Sequence, residues 1–168
     1  MVYIRIYYFI FINFMKIDSK DLEIIKNLQL NSDISLKELS KKVGLSTTPC
    51  WLRIKKLQEN KILKNRPYIV DRYLLDLKVT AFVFIKTKNH NIEWSNKLVE
   101  VVSKFPEIVS FYRMSGEIDY LLKVIVKDLD DFDLFYKKLI SEVELDNVTS
   151  SFSLEEIKNT TELPIKLN

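Results

Sequence analysis

Between Ser46 and Lys56 the chain reads STTPCWLRIKK, and most of its side chains can address a polyanion. Thr47, Thr48 and Trp51 fall nearest the base edges, with Ser46 and Pro49 beside them among the candidate DNA contacts. Lys55 and Lys56 supply ammonium groups for phosphates, and the Arg53 fork matches guanine in a bidentate way. This is the chemistry of groove recognition. Two of these residues have a second reading. Arg53 sits beside an apolar stripe and either meets nucleic acid or pins its helix to its own domain. Trp51 either faces outward or packs against a following hairpin. Lys41 and Lys42 either touch backbone phosphate or form a solvated face.

A second stretch with chemical potential is Ser115-Gly116-Glu117-Ile118-Asp119. Gly116 lets backbone amides approach a bound carboxylate, and Asp119 is placed to receive an amino group. The plainer alternative is a hairpin turn that needs a glycine, with Asp119 as a surface charge. Catalysis finds no support. There is no Gly-rich phosphate loop, no nucleophile with a base beside it, and no pair of acids placed for a cleft. With one cysteine (Cys50) and one histidine (His90), internal disulfides, zinc spacings and Cys/His pairs are excluded. Neither metal nor cofactor is expected. Cys50 falls on a buried stripe and reads as a core residue rather than a redox sensor.

The elements that must carry these residues are legible in the spacing. Ser35 followed by Glu38 is a capping box, with Ile34 and Leu39 as its hydrophobic staple. Leu36, Leu39 and Val43 then share one helical face, and Gly44 ends the segment. Ser46 is placed to cap the next helix, whose first turn tolerates Pro49. Cys50, Ile54 and Leu57 form its buried stripe. Upstream, Asp18 caps a helix with Asp21 in its first turn, Ile17 and Leu22 as staple, and Leu22, Ile25 and Leu28 inside, ending near Leu30. Three helices result, with a helix-turn-helix motif from Leu36 to Lys55. Ile62-Leu63 and Tyr68-Ile69-Val70 read as a wing-like hairpin around Asn65-Arg66-Pro67.

The second half changes period. Val79–Ile85 suits a buried strand, and Trp94, Leu98, Val101, Val102 and Phe105 suit a helix ended by Pro106. Strands follow at Ile108–Met114 and Tyr120–Val126, then a helix from Leu129 to Val143 and a last strand at Val148–Leu154. The order βαββαβ describes a ferredoxin-like domain, so the fold class is α+β: a winged helix-turn-helix followed by that domain. A four-stranded sheet with helices on one side leaves a face uncovered, which predicts a homodimer.

Charge divides the same way. Residues 16–66 carry 12 Lys/Arg against 6 Asp/Glu, a net +6, whereas residues 77–168 carry 12 against 15, a net −3. Contact with double-stranded DNA is therefore expected in the first half only. Residues 1–15, MVYIRIYYFIFINFM, form an apolar extension too short to span a bilayer and without a signal-peptide cleavage site. Translation is expected to begin at Met15, the alternative being a genuine strand or membrane-skimming extension. No membrane association is predicted for the rest, and the expected location is cytoplasmic. The division is thus 1–15 extension, 16–66 DNA-binding domain, 67–77 linker and 78–168 ferredoxin-like ligand-binding and dimerisation domain.

From about Ile17 onward the sequence resembles the Lrp/AsnC family of transcription regulators. The resemblance is carried by Val43-Gly-Leu-Ser-Thr-Thr-Pro-Cys50, Arg53-Ile-Lys-Lys-Leu57 and Ser115-Gly-Glu-Ile-Asp-Tyr-Leu-Leu122. It implies sequence-specific DNA binding, assembly from dimers up to an octamer, and an amino-acid effector. The implied effector residues are Met114, Ser115, Gly116, Glu117 and Asp119, with Ser150 and Ser151 drawing on a neighbouring chain. Glycines usual in the family are replaced here by Asn31-Ser32-Asp33, Asn60-Lys61 and Asp146-Asn147, where asparagine would tolerate positive φ. The competing reading is a small-molecule-binding ferredoxin-like module whose helix-turn-helix serves protein contact.

Overall fold

The computed structural model describes residues 16–64, 67–89 and 91–166. The expectations for residues 1–15, for Asn65 and Arg66 and for His90 lie outside these. No helix among the described residues is long and apolar enough to cross a membrane. The chain forms two compact units: one built from the chain up to Tyr68 together with Asn159 onward, the other from Ile69–Lys158. The expected 78–168 domain thus has its far end, from Asn159, grouped with the first unit.

In the first unit, α1 spans Ser19–Leu30, α2 Leu36–Lys42 and α3 Thr47–Glu59. Their core is Ile24, Ile25, Leu39, Val43, Cys50 and Leu57, with Ile34, Ile54 and Ile165 packed against it. The expected stripe of α1 is met at Ile25, which is buried, and at Leu28, which packs on the core, but it missed Ile24. Ile24 is wholly buried, whereas Leu22 and Leu28 are only half-buried. The complete capping box is at Asp18 and Asp21: the Asp21 N–H donates to Asp18 Oδ1 at 2.9 Å and the Asp18 N–H to Asp21 Oδ2 at 3.2 Å. The box predicted at Ser35 is half made. The Glu38 N–H donates to Ser35 Oγ at 3.2 Å, while the Glu38 carboxylate turns to Lys42 at 3.4 Å.

Gly44, at φ +65°, ends α2 in a Schellman arrangement, with Leu45 N–H to the Ser40 carbonyl at 2.8 Å and Gly44 N–H to the Lys41 carbonyl at 3.2 Å. The end of α3 repeats this around Lys61, at φ +58°, through Ile62 N–H to the Leu57 carbonyl at 2.9 Å. The left-handed residue is the lysine rather than Asn60, whose φ is −82°. Lys61 Cβ bears the strain that asparagine was expected to relieve. The anticipated wing hairpin is not formed among the described residues: neither Ile62-Leu63 nor Tyr68–Val70 is a strand. Leu63 instead packs on the three-helix core, and Tyr68, Ile69 and Val70 are exposed.

The second unit has the expected order: β1 Val79–Lys86, α4 Ile92–Val102, β2 Ile108–Arg113, β3 Tyr120–Val126, α5 Leu129–Glu142 and β4 Asn147–Phe152. The sheet is antiparallel in the order β2-β3-β1-β4. Strand alternation sends Ala81, Val83, Ile85, Leu122 and Val124 inward to meet Leu98, Val102, Phe135 and Leu139 of the two helices. The opposite face shows Phe82, Phe84, Leu121 and Ile125 half-buried and Tyr112 exposed. An uncovered sheet face was expected from the strand order; that it carries apolar side chains is what the structure adds.

Candidate functional site

Helix α3 presents its predicted contact residues to solvent. Thr47, Thr48, Pro49, Trp51, Lys55 and Lys56 are all exposed, while Cys50 and Leu57 are fully buried beneath them. The spacing explains the division: positions 50 and 57 fall two turns apart on the inner face, and 48, 51 and 55 run along the outer one. Trp51 is 48% exposed, with Lys55 Nζ 5.4 Å from its ring centroid. Of the two readings for Trp51, the outward one therefore holds. Leu52, 54% exposed, joins this surface and was missed, since nothing in its type suggests a contact role. Ser46 occupies the N-cap position without a side-chain bond to the helix. It was expected to cap; instead its hydroxyl accepts none of the first-turn amides. Burial pushes the Cys50 thiol above its ordinary value, which fits a core residue and not a redox sensor.

Arg53 resolves toward the structural reading. Its Nη1 meets Asp18 Oδ2 at 2.7 Å and Asp21 Oδ1 at 2.8 Å, so the guanidinium fastens α3 to the start of α1. Asp21 is buried, and its two oxygens serve Asp18 N–H and Arg53. Helix α3 is thus oriented by a charge-assisted lock at the N-terminus of its neighbour, where carboxylates are favoured by the helix dipole. Among the predicted nucleic-acid contacts, Arg53 has its charged group held by two carboxylates at 2.7 and 2.8 Å, whereas Lys55 only approaches Glu59 at 3.9 Å.

The lock has a pH signature. The Asp21 N–H first, and the Arg53 guanidinium next, hold the Asp18 carboxyl below the usual carboxylate range. A depressed folded value means that its contribution is fully present above the unfolded value of about 3.9 and fades as pH falls through the folded one. In urea titrations, wild type should exceed Asp18→Asn in stability at neutral pH. That difference should shrink on acidification to about pH 3. A difference independent of pH would contradict the assignment.

On the sheet's helix-free face a cavity of about 290 Å³ is lined by Phe84, Lys86, Glu117, Ile118, Thr149 and Ser151, with Asn147 at one end. Register places these together: Phe84 pairs with Thr149 and Lys86 with Asn147 across β1 and β4, and the β2–β3 loop supplies Glu117 and Ile118. Of the predicted effector residues the cavity takes Glu117 and Ser151. Ser150 points the other way, toward the helices, because β4 alternates: Val148 packs on the core and the Phe152 ring lies 5.0 Å from Phe132. Met114, Ser115 and Gly116 form the exposed turn beside the cavity, with Gly116 at φ +123°.

The Asp119 carboxylate, expected to receive an amino group, is anchored at the end of β1. Its Oδ2 accepts the Thr87 N–H at 2.8 Å, and its backbone joins Met114 and Ile85. The carboxylate in the cavity is Glu117. Lys86 and Thr149 were missed. Alternation from Val83 and Ile85 inward would have put Lys86 outward, and the same rule applied to Val148 would have picked Thr149 and Ser151 over Ser150. Asp146 fixes the neighbouring loop by accepting from Lys88 N–H at 2.9 Å and Thr87 Oγ1 at 3.1 Å. These bonds, the Lys88 amide first, keep its carboxyl below the ordinary range.

Comparison with known proteins finds relatives of both halves of the chain. Residues 17–64 match the winged helix-turn-helix DNA-binding model and residues 80–163 the Lrp/AsnC ligand binding domain. The DNA-binding transcriptional activator DecR of Escherichia coli (strain K12) is 44% identical over 151 residues, covering 89% of this chain and 99% of that protein. The glutamate uptake regulatory protein of Zymomonas mobilis is 40% identical, covering 89% and 92%. Among solved structures, an AsnC family transcriptional regulator from Agrobacterium tumefaciens superposes with a TM-score of 0.84 at 50% identity, covering 88% of this chain and 96% of that one. A transcriptional regulator from Neisseria meningitidis in complex with L-Met gives 0.83 at 32% identity, covering 88% and 96%. With its exposed reader helix and its ligand-binding domain, the chain belongs to the Lrp/AsnC family of DNA-binding transcription regulators.

Proposed function

We propose that α3 enters the major groove with Thr48 and Trp51 toward base edges, Ser46, Thr47 and Pro49 at the leading end, and Lys55 and Lys56 on phosphates. The observation that carries this reading is the row of exposed residues 48, 51 and 55 on a helix whose opposite side is core. The apolar face of Phe82, Phe84, Leu121 and Ile125 supports dimerisation through the sheet, since an uncovered apolar surface favours a second copy. A symmetric pair then presents its reader helices to half-sites about 34 Å apart, or a multiple of that. Further assembly, up to an octamer, is an extension of the same reading, and analytical ultracentrifugation checks it. Regulators of this type act in the cytoplasm and are not enzymes, and the relatives named above support both expectations here.

The ligand in this reading is an amino acid in the sheet-face cavity. Lys86 and Glu117 carry the opposite charges that a zwitterion's carboxylate and ammonium require, while Phe84 and Ile118 offer apolar contact. A cavity of about 320 Å³ also lies in the DNA-binding unit, but its lining, with Leu28, Ile34, Leu39 and Ile54, brings no such pair of charges. The L-Met complex of the Neisseria relative points the same way.

Mobility shifts with genomic fragments test the DNA reading; no retardation at low salt would sink it. A thermal-shift screen of the twenty amino acids tests the ligand, because a molecule bound only by the native state raises Tm. Gly116→Val should abolish that response and spare DNA binding, since a β-branched residue at φ +123° displaces the loop carrying Glu117. An unchanged ligand response in this variant would put the site elsewhere.

A further inference from the structure

Among the described residues after β4 there is no helix or strand, yet this segment is tied down at four places. Ser153 N–H donates to the Thr80 carbonyl of β1 at 2.9 Å. Glu156 meets Lys123 of β3 at 3.3 Å, on the sheet face that carries the cavity. Beyond Lys158 the chain belongs to the DNA-binding unit. There the Leu163 N–H donates to Gln29 Oε1 at 2.9 Å and Gln29 Nε2 donates to the Leu163 carbonyl at 3.4 Å. Two residues on, Ile165 is half-buried against the three-helix core. One side-chain amide thus pairs with both backbone groups of a single tail residue, as a neighbouring strand would.

We infer that residues 159–166 are a clasp through which occupancy of the sheet-face cavity alters the DNA-binding helices. The inference rests on the ligand reading above and adds its route. Thr149 and Ser151 line the cavity on the same strand whose continuation reaches α1. Leu163 lies seven residue steps beyond Glu156, at most about 25 Å of extended chain, so slack between the two anchor points is bounded. Gln29 is a positioning residue here. It sits on α1, whose first turn holds Arg53 of the reader helix through Asp18 and Asp21. The clasp is made of two water-exposed hydrogen bonds and one half-buried isoleucine, which suits a contact that opens and closes. A ligand shifts DNA affinity only by binding the closed and open states unequally, and such couplings are typically about 5- to 150-fold.

The experiment compares wild type, Gln29→Ala and a chain ending at Lys158. Each is assayed for Tm shift with the twenty amino acids and for DNA affinity with and without the one that shifts wild type most. Both variants should keep the ligand-induced Tm shift and lose the ligand-dependent change in DNA affinity, their ratio falling to about one. A merely structural role would lower Tm without changing that ratio. If the shortened chain fails to fold, Gln29→Ala, which leaves Ile165 in place, decides alone. A ratio unchanged in Gln29→Ala overturns the clasp while leaving the ligand reading intact, as does a wild type that binds an amino acid without any change in DNA affinity. No Tm shift with any amino acid overturns the ligand reading, and the clasp with it.

Discussion

Replacement of Asp21 by Ala is expected to lower the unfolding free energy of the DNA-binding unit by about 2–3 kcal/mol and to weaken DNA retardation with it. Two bonds are lost at once. One is the reciprocal half of the capping box, Asp18 N–H to Asp21 Oδ2 at 3.2 Å; the other is the 2.8 Å bond from Arg53. A neutral bond contributes about 0.5–1.5 kcal/mol and one to a charged group about 1.5–3 kcal/mol. The Arg53 side chain is 32% exposed, so on losing its partner it turns partly to water or leans on Asp18, which holds the cost below that of a fully buried charge left alone. For a three-helix unit the loss is still a large share of total stability. Urea unfolding followed by Trp51 fluorescence in a Trp94→Phe background reads this unit. In a double-mutant cycle with Arg53→Ala, strict additivity would refute the lock, because contacting residues must couple.

Arg53 also shows where sequence reading stops. Its place beside the stripe of Cys50, Ile54 and Leu57 was visible, and so were two candidate partners for its charge, phosphate and carboxylate. Spacing along one helix cannot choose between them, because Asp18 and Asp21 lie more than thirty positions away. Period and punctuation settled what is local. The helix bounded by Ser46 and the turn at Gly44 were legible because caps and left-handed residues act within four or five positions. The βαββαβ order was legible because both periods are strong. What escaped was non-local: the tail returning to Gln29, the capture of Asp119 by the Thr87 amide, and the placing of Lys86 and Glu117 around one cavity by a strand pair and a loop. Ser150 is a different case. Strict alternation from Val148 was available in the sequence and excludes it from the open face, so that error came from taking neighbours as a pair.

Removing Lys55 and Lys56 together, as K55A/K56A, should weaken binding to every DNA sequence alike and make the salt dependence shallower by about two. Each ammonium that neutralises a phosphate releases counterions with a slope of about 0.9, so at roughly 0.15 M salt two contacts amount to an affinity loss of about thirtyfold. Fold stability should hardly change. Both side chains are exposed, and the 3.9 Å contact of Lys55 with Glu59 is a surface pair worth about 0–1 kcal/mol. Arg53→Ala supplies the opposite signature. A guanidinium spent on Asp18 and Asp21 releases few counterions on binding, so its loss should lower stability and affinity while leaving the salt slope nearly as it was. Fluorescence anisotropy with specific and scrambled duplexes at several salt concentrations separates the two. A steep slope retained in K55A/K56A, with the change appearing in Arg53→Ala instead, would mean that the phosphate contacts and the internal lock have been exchanged, and the orientation assigned to α3 would have to be turned about its axis.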